Sequence, residues 1–140
     1  MTRAAQELQA AVREQWRKEA EARLLGDPDP MPVRWLLSDQ AVMDHDKRIA
    51  PVPLVFSGRS DRICALTDQF RRLRRRRLVI MGGAGSGKTT LAVQLVLQLL
   101  ENWQAGEPVP VLLSLASWDP HAQSRVQDWL ADQLNRWGFA

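Results

Sequence analysis

The sequence carries a single cysteine, Cys64, in 140 residues. One thiol closes no internal disulfide, which excludes the small stapled scaffolds and fits a reducing, cytoplasmic setting. Beside Ile63 and Leu66 it is expected to act as a small packing residue. Long apolar runs are scarce too. The most apolar stretch, Leu91 to Leu100, is broken by Gln94 and Gln98, so no membrane span is expected. The opening "MTRAAQELQAAVREQW" is charged and has no apolar run, so no secretory leader is expected either. There is no internal repeat. Clustered metal ligands are also lacking: "DHD", Asp44 to Asp46, has no partner group nearby and reads as a surface loop, and His121 reads as a helix-surface residue. No histidine is placed to activate a serine, which argues against a serine nucleophile.

What remains is an ordinary globular composition, with 45% apolar and 25% charged residues, long enough for one domain with a core. The formal net charge of +3 is unevenly spread, because "RRLRRRR", Arg71 to Arg77, concentrates much of the basic charge. Such a run attracts nucleic acid or anionic lipid by charge alone. No aromatic platform is interleaved with it, so the expected reading is a solvated helix end without a specific nucleic-acid partner.

Hydrophobic periodicity divides the chain into three stretches. In residues 1–26, Leu8, Val12, Trp16, Ala20 and Leu24 recur every four positions among charged residues, which predicts an amphipathic helix from Ala4 to Leu25, stopped by Gly26. Trp16 on that helix could pack on the body or on a partner. Residues 27–54 begin with Pro28, Pro30 and Pro32 and read as a linker or approach segment, in which "VRWLL" is a short strand or a packed turn. Residues 55–140 are ordered. Ser60 is a candidate N-cap for a helix carrying Ile63, Leu66, Phe70 and Leu73 on one face, with the arginines at its carbonyl end. "LVIMG", Leu78 to Gly82, and "VPVLLSLA", Val109 to Ala116, are apolar runs of strand length, read as strands buried on both faces. Between them a helix is expected from Lys88 to about Asn102, with Gln94, Gln98 and Glu101 as its polar stripe. A last helix is expected to start at "SWDP", with Asp119 as cap and Pro120 in the first turn, and to turn Val126, Trp129, Leu130, Gln133, Leu134 and Trp137 inward.

The loop joining the first run to its helix carries the chemistry. "GGAGSGKT", Gly82 to Thr89, satisfies G-x-x-x-x-G-K-[ST]. Gly82, Gly83, Gly85 and Gly87 permit the backbone angles that turn successive N–H groups into a concave anion nest, with Ala84 and Ser86 completing the turn. The helix that follows aims its positive end at the same point. Lys88 can reach β- and γ-phosphates as a mobile point charge, the Thr89 hydroxyl can ligate Mg²⁺, and Thr90 packs or caps beside them.

Three stretches together resemble the NACHT family within the STAND class of P-loop NTPases: "VFSGR" at Val55 to Arg59, "RLVIMGGAGSGKTTLA", and "VPVLLSLASWDP" followed by "VQDWLADQL". The resemblance covers about Leu54 to Gly138. It implies an α/β fold of the three-layer P-loop NTPase type, incomplete here, with two parallel-type strands and flanking helices preceded by the amphipathic helix. It further implies ATP, with GTP as the other possible nucleotide, and Mg²⁺ as companion ion. Phosphate and metal would be held by Lys88 and Thr89, and Gly58 and Arg59 would flank the base. In the family, hydrolysis and exchange switch a signalling or defence assembly.

The departures from the family matter as much. The family's acidic Walker B strand, its later sensor residues and its winged-helix segment have no counterpart here. Asp119, the nearest acid after an apolar run, is better explained as a cap. The family's strand order separates its first two strands, so Leu78–Gly82 and Val109–Ala116 are not expected to pair with each other. Each unsatisfied buried backbone group then costs about 1–3 kcal/mol. The expectation is a truncated or partial NACHT module, marginal in isolation, that binds nucleotide without useful hydrolysis. The alternative is a non-catalytic interaction protein whose first helix and open sheet edge dock on a longer NACHT relative, or on another copy. A different P-loop enzyme, such as a small kinase, would need a substrate lid and a second acidic strand, and neither is in the sequence.

Overall fold

The computed structural model describes residues 3–23, 32–38 and 57–136. Helices dominate: α1 spans Arg3–Ala22, α2 Ile63–Arg72, α3 Lys88–Glu101 and α4 Val126–Arg136. The strands β1, Arg34–Trp35, and β2, Gly58–Arg59, form a two-stranded antiparallel ribbon that pairs Arg34 with Arg59 and Trp35 with Gly58. The architecture is therefore mixed and helix-rich, with no parallel sheet among the described residues.

The 14-residue α3 is the central element. Its Leu91, Val93, Leu95, Val96 and Leu100 are buried, an apolar girth too wide for one neighbour to cover. Two helices divide it. On one side α2 contributes Leu66 and, just past its end, Leu73 to a cluster with Leu91 and Leu95, ringed by Trp35, Ile63, Phe70, Leu78, Ile80 and Leu99. On the other side Val12 of α1 joins Val96 and Leu100, with Leu8, Trp16, Val109, Val111 and Leu112 around them. The amide Nε2 of Gln9 donates to the Leu100 carbonyl at 3.0 Å, holding α1 against the last turn of α3. Trp16 thus packs on the body. At the same end, the Arg71 guanidinium reaches the Asn102 carbonyl at 2.9 Å and the Glu107 carboxylate at 3.2 Å, joining the last turn of α2 to the loop after α3.

Both apolar runs read as buried strands depart from that expectation. Neither Leu78–Gly82 nor Val109–Ala116 pairs with another strand among the described residues. Leu78 and Ile80 turn toward the α2–α3 cluster, whereas Val79 is 81% and Met81 61% exposed. Val109 to Leu113 are half-buried against α1 and α3, and the run ends in a 3₁₀ turn, Leu115–Ser117. The reason is physical: a strand exists only through its hydrogen-bonding neighbour, and no described segment pairs with either run as a strand.

The helix starts also differ from expectation. Ser60 does not cap α2. It lies in a 3₁₀ turn, Ser60–Arg62, and its hydroxyl accepts the Val33 N–H at 2.8 Å while its own N–H donates to the Val33 carbonyl at 2.9 Å. A reciprocal pair across two segments displaces the local cap. Asp119 caps a turn, not a helix: its Oδ1 accepts the His121 N–H at 2.8 Å and its carbonyl accepts Gln123 N–H at 2.9 Å. The Trp118 indole then donates to the Gln123 carbonyl at 2.9 Å, taking the acceptor the next turn needs, and α4 begins only at Val126. Cys64 is exposed, because Ile63, Leu66 and Thr67 face inward from α2 and leave its position outside. Trp129 is buried as its spacing predicts, while Trp137, Leu24, Leu25 and the "DHD" segment lie outside the described residues.

Candidate functional site

The site is built where α3 begins. Gly87 takes the left-handed conformation, φ 77°, and Gly85 does the same at φ 71°. Only glycine adopts that region without penalty, and two such turns in three residues bend the chain back on itself. The loop is closed by Ser86 N–H donating to the Gly83 carbonyl at 3.4 Å, and the helix ladder starts with Leu91 N–H on the Gly87 carbonyl at 2.9 Å. The N–H groups of Lys88, Thr89 and Thr90, and those of Gly83, Ala84, Gly85 and Gly87, have no acceptor among the described residues. A helix N-terminus leaves its first donors unpaired by construction. Here the preceding loop adds its own.

Lys88 completes the arrangement. Its Nζ donates to the Gly83 carbonyl at 2.6 Å and to the Gly82 carbonyl at 3.0 Å, with the Ser86 hydroxyl 3.4 Å away. The ammonium is thereby held over the loop by the carbonyls of its first two glycines. Acceptors face the lysine while donors are left for an incoming anion. A side chain at Gly82 would meet the Ser86 hydroxyl at 2.6 Å, so the loop closes tightly at its start. Thr89 is exposed and its hydroxyl is uncommitted by any hydrogen bond among the described residues, while Thr90 is half-buried.

Gly58 and Arg59 lie in β2, and the ribbon reaches the loop through Val33. A Cβ on Gly87 would stand 3.3 Å from the Val33 Cγ2. The Ser60–Val33 pair fixes that contact, and Gly58 lets the Trp35 indole lie flat on the ribbon, where a Cβ would come within 2.5 Å of the ring. The Arg59 guanidinium pairs with Asp61 at 3.1 Å, both groups about half exposed. Val33, Trp35 and Ser60 support the site from the ribbon, a role that sequence reasoning did not give them: it read Ser60 as a helix cap and "VRWLL" as a short strand or packed turn.

The two glycines make a testable contrast. Gly87→Ala forces a Cβ into positive φ and against Val33, and is expected to lower stability by about 1–2 kcal/mol. Gly83→Ala, with open space around it, should change stability by less than about 0.5 kcal/mol. Urea denaturation of the two variants beside the parent chain measures the difference, and equal midpoints would contradict the loop geometry.

No group of three or more His, Cys, Asp or Glu side chains that could hold an ion exists among the described residues. Thr89 offers an exposed hydroxyl oxygen beside the loop. That donor set suits an ion such as Mg²⁺, which takes one or two protein oxygens and completes its shell with phosphate and water. No described helix is long and apolar enough to cross a membrane. No protein-family model, curated protein or solved structure matches the chain.

Proposed function

We propose that the chain binds a nucleoside triphosphate, ATP in preference to GTP, through Gly82–Thr89, as part of a NACHT-type NTPase module of signalling or defence type. The observation that carries this reading is the closed loop at the start of α3, with its lysine ammonium on the Gly82 and Gly83 carbonyls and the N–H groups of Gly83, Ala84, Gly85, Gly87 and Lys88 without acceptors among the described residues. An anion of several charges satisfies those donors and the helix end together. Mg²⁺ would be held from the protein side by Thr89, and its charge would offset that of the β- and γ-phosphates. Gly58 and Arg59, on a ribbon that touches Gly87 through Val33, would stand on the base side. The incomplete three-layer P-loop fold belongs to the same proposal, with Leu78–Gly82 and Val109–Ala116 as its strands.

Hydrolysis is not part of this proposal. Asp119, the nearest acid after an apolar run, caps a turn through its Oδ1 on the His121 N–H, which supports reading it as a cap and not as a water-orienting acid. Titration with N-methylanthraniloyl-labelled ATP and GTP, with Mg²⁺ and with a chelator, is the test. Saturable binding, tighter for ATP and weakened by chelation, supports the reading. No binding of either nucleotide at millimolar concentration overturns it, and so does robust Lys88-dependent ATP turnover for the non-hydrolysing part.

A second reading is favoured by one feature, the open apolar edge at Val79 and Met81. The chain would then act as a docking module for another polypeptide, and the two readings are compatible.

A further inference from the structure

Between α2 and the phosphate loop, exposure alternates residue by residue from Arg77 to Met81, the period of an extended chain. Leu78 and Ile80 are committed to the core cluster, and Arg77, Val79 and Met81 face outward. The backbone N–H and C=O groups of Leu78, Val79, Ile80 and Met81 make no hydrogen bond among the described residues. Just before this segment lie Arg74, Arg75, Arg76 and Arg77, all exposed, and none makes an ion pair there. Arg76 is held at φ 46°, the one described non-glycine residue with positive φ, so the turn that presents these guanidinium groups is sharply bent.

We infer that Leu78–Met81 is a docking edge for an extended, acidic peptide segment of a partner protein, which adds as a strand and places its carboxylates against Arg74–Arg77. Three observations select this occupant. Backbone donors and acceptors without partners among the described residues are satisfied by another strand, whereas a lipid surface offers the backbone no partners in its apolar region. Outward Val79 and Met81 call for alternate apolar side chains on the partner, which a nucleic acid lacks. Four arginines without an ion pair among the described residues call for negative charge near the end of the added strand. The inference rests on the docking reading above and is independent of nucleotide binding.

Fluorescence polarisation on the full chain tests it, using a short fluorescein-labelled peptide of alternating valine and threonine with glutamates at both ends. Saturable binding is expected. The combined change Arg74→Glu, Arg75→Glu and Arg77→Glu should weaken it at least about tenfold while leaving the affinity for the ATP analogue unchanged. Methylating alternate backbone amides of the peptide should abolish binding without touching the protein. Equal binding of the methylated peptide overturns strand addition. Equal binding of a peptide with glutamine for glutamate overturns the acidic chemistry and leaves the docking reading standing. Failure of every peptide overturns both, and tighter binding of phosphatidylserine vesicles or duplex DNA overturns the choice of occupant.

Discussion

Lys88→Ala lowers the affinity of the chain for the ATP analogue at least about a hundredfold, equivalent to about 2.7 kcal/mol, while its circular dichroism stays that of the parent. Among the described residues the ammonium is the only side-chain cation hydrogen-bonded to the loop, and it is already oriented there by the Gly82 and Gly83 carbonyls at 3.0 and 2.6 Å. A charge-assisted bond to phosphate is about twice as strong as a neutral one, and the alanine variant loses it while keeping the N–H nest. Stability should fall by no more than about 1 kcal/mol, since the lysine's own bonds lie at an exposed surface. Lys88→Arg separates charge from shape. The guanidinium keeps the charge but is a planar fork that does not fit a point-charge position between two carbonyls, so it should rescue little. Full rescue by arginine would mean that the loop attracts nucleotide by general electrostatics and not by a formed cradle.

The parts of this molecule legible in the sequence are those whose cause is local. The apolar spacing of Leu8, Val12 and Trp16, and of Ile63, Leu66 and Phe70, specifies a helix whatever lies opposite, and α1 and α2 are where that spacing places them. The start of α3 at Lys88 follows from glycines at positions that need positive φ. What was not legible depends on a distant partner. Leu78–Gly82 has the composition of a buried strand, but composition does not say which segment pairs with it, and none of those described does. Ser60 has the chemistry of an N-cap, yet a backbone 27 positions away in sequence competes for the same hydroxyl. Trp35 against Gly58 is a contact of the same kind, invisible until two distant segments pair. The cover on α3 is of the same kind: its apolar girth calls for packing on most sides, but not for α1 as the neighbour on one of them.

Leu100→Ala should cost about 2–5 kcal/mol, a large share of the 5–15 kcal/mol that holds a small domain together. Leu100 is 1% exposed and shares its cluster with Val12, at 0%, and Val96. Shortening it opens a cavity between α3 and α1, and weakens the seat of the Gln9 amide on the Leu100 carbonyl. The damage should be local before it is global. Hydrogen exchange over α1 should accelerate first, because this one cluster, with Leu8 and Trp16 at its margin, is what seats the helix, and its ion pairs, such as Arg3 with Glu7 and Lys18 with Glu14, are exposed pairs within the helix, which contribute little. Meanwhile the phosphate loop sits at the other end of α3, roughly 20 Å away at 1.5 Å per residue. Its geometry is set by Gly85, Gly87 and the Lys88 bonds, none of which involves α1. Under conditions where the variant is still folded, its affinity for the ATP analogue should therefore match the parent's within about twofold, the independence normal for sites more than about 10 Å apart. Loss of nucleotide binding in step with α1 release would show instead that the two ends of α3 are one cooperative unit, and that the helix covering one end controls the cradle at the other.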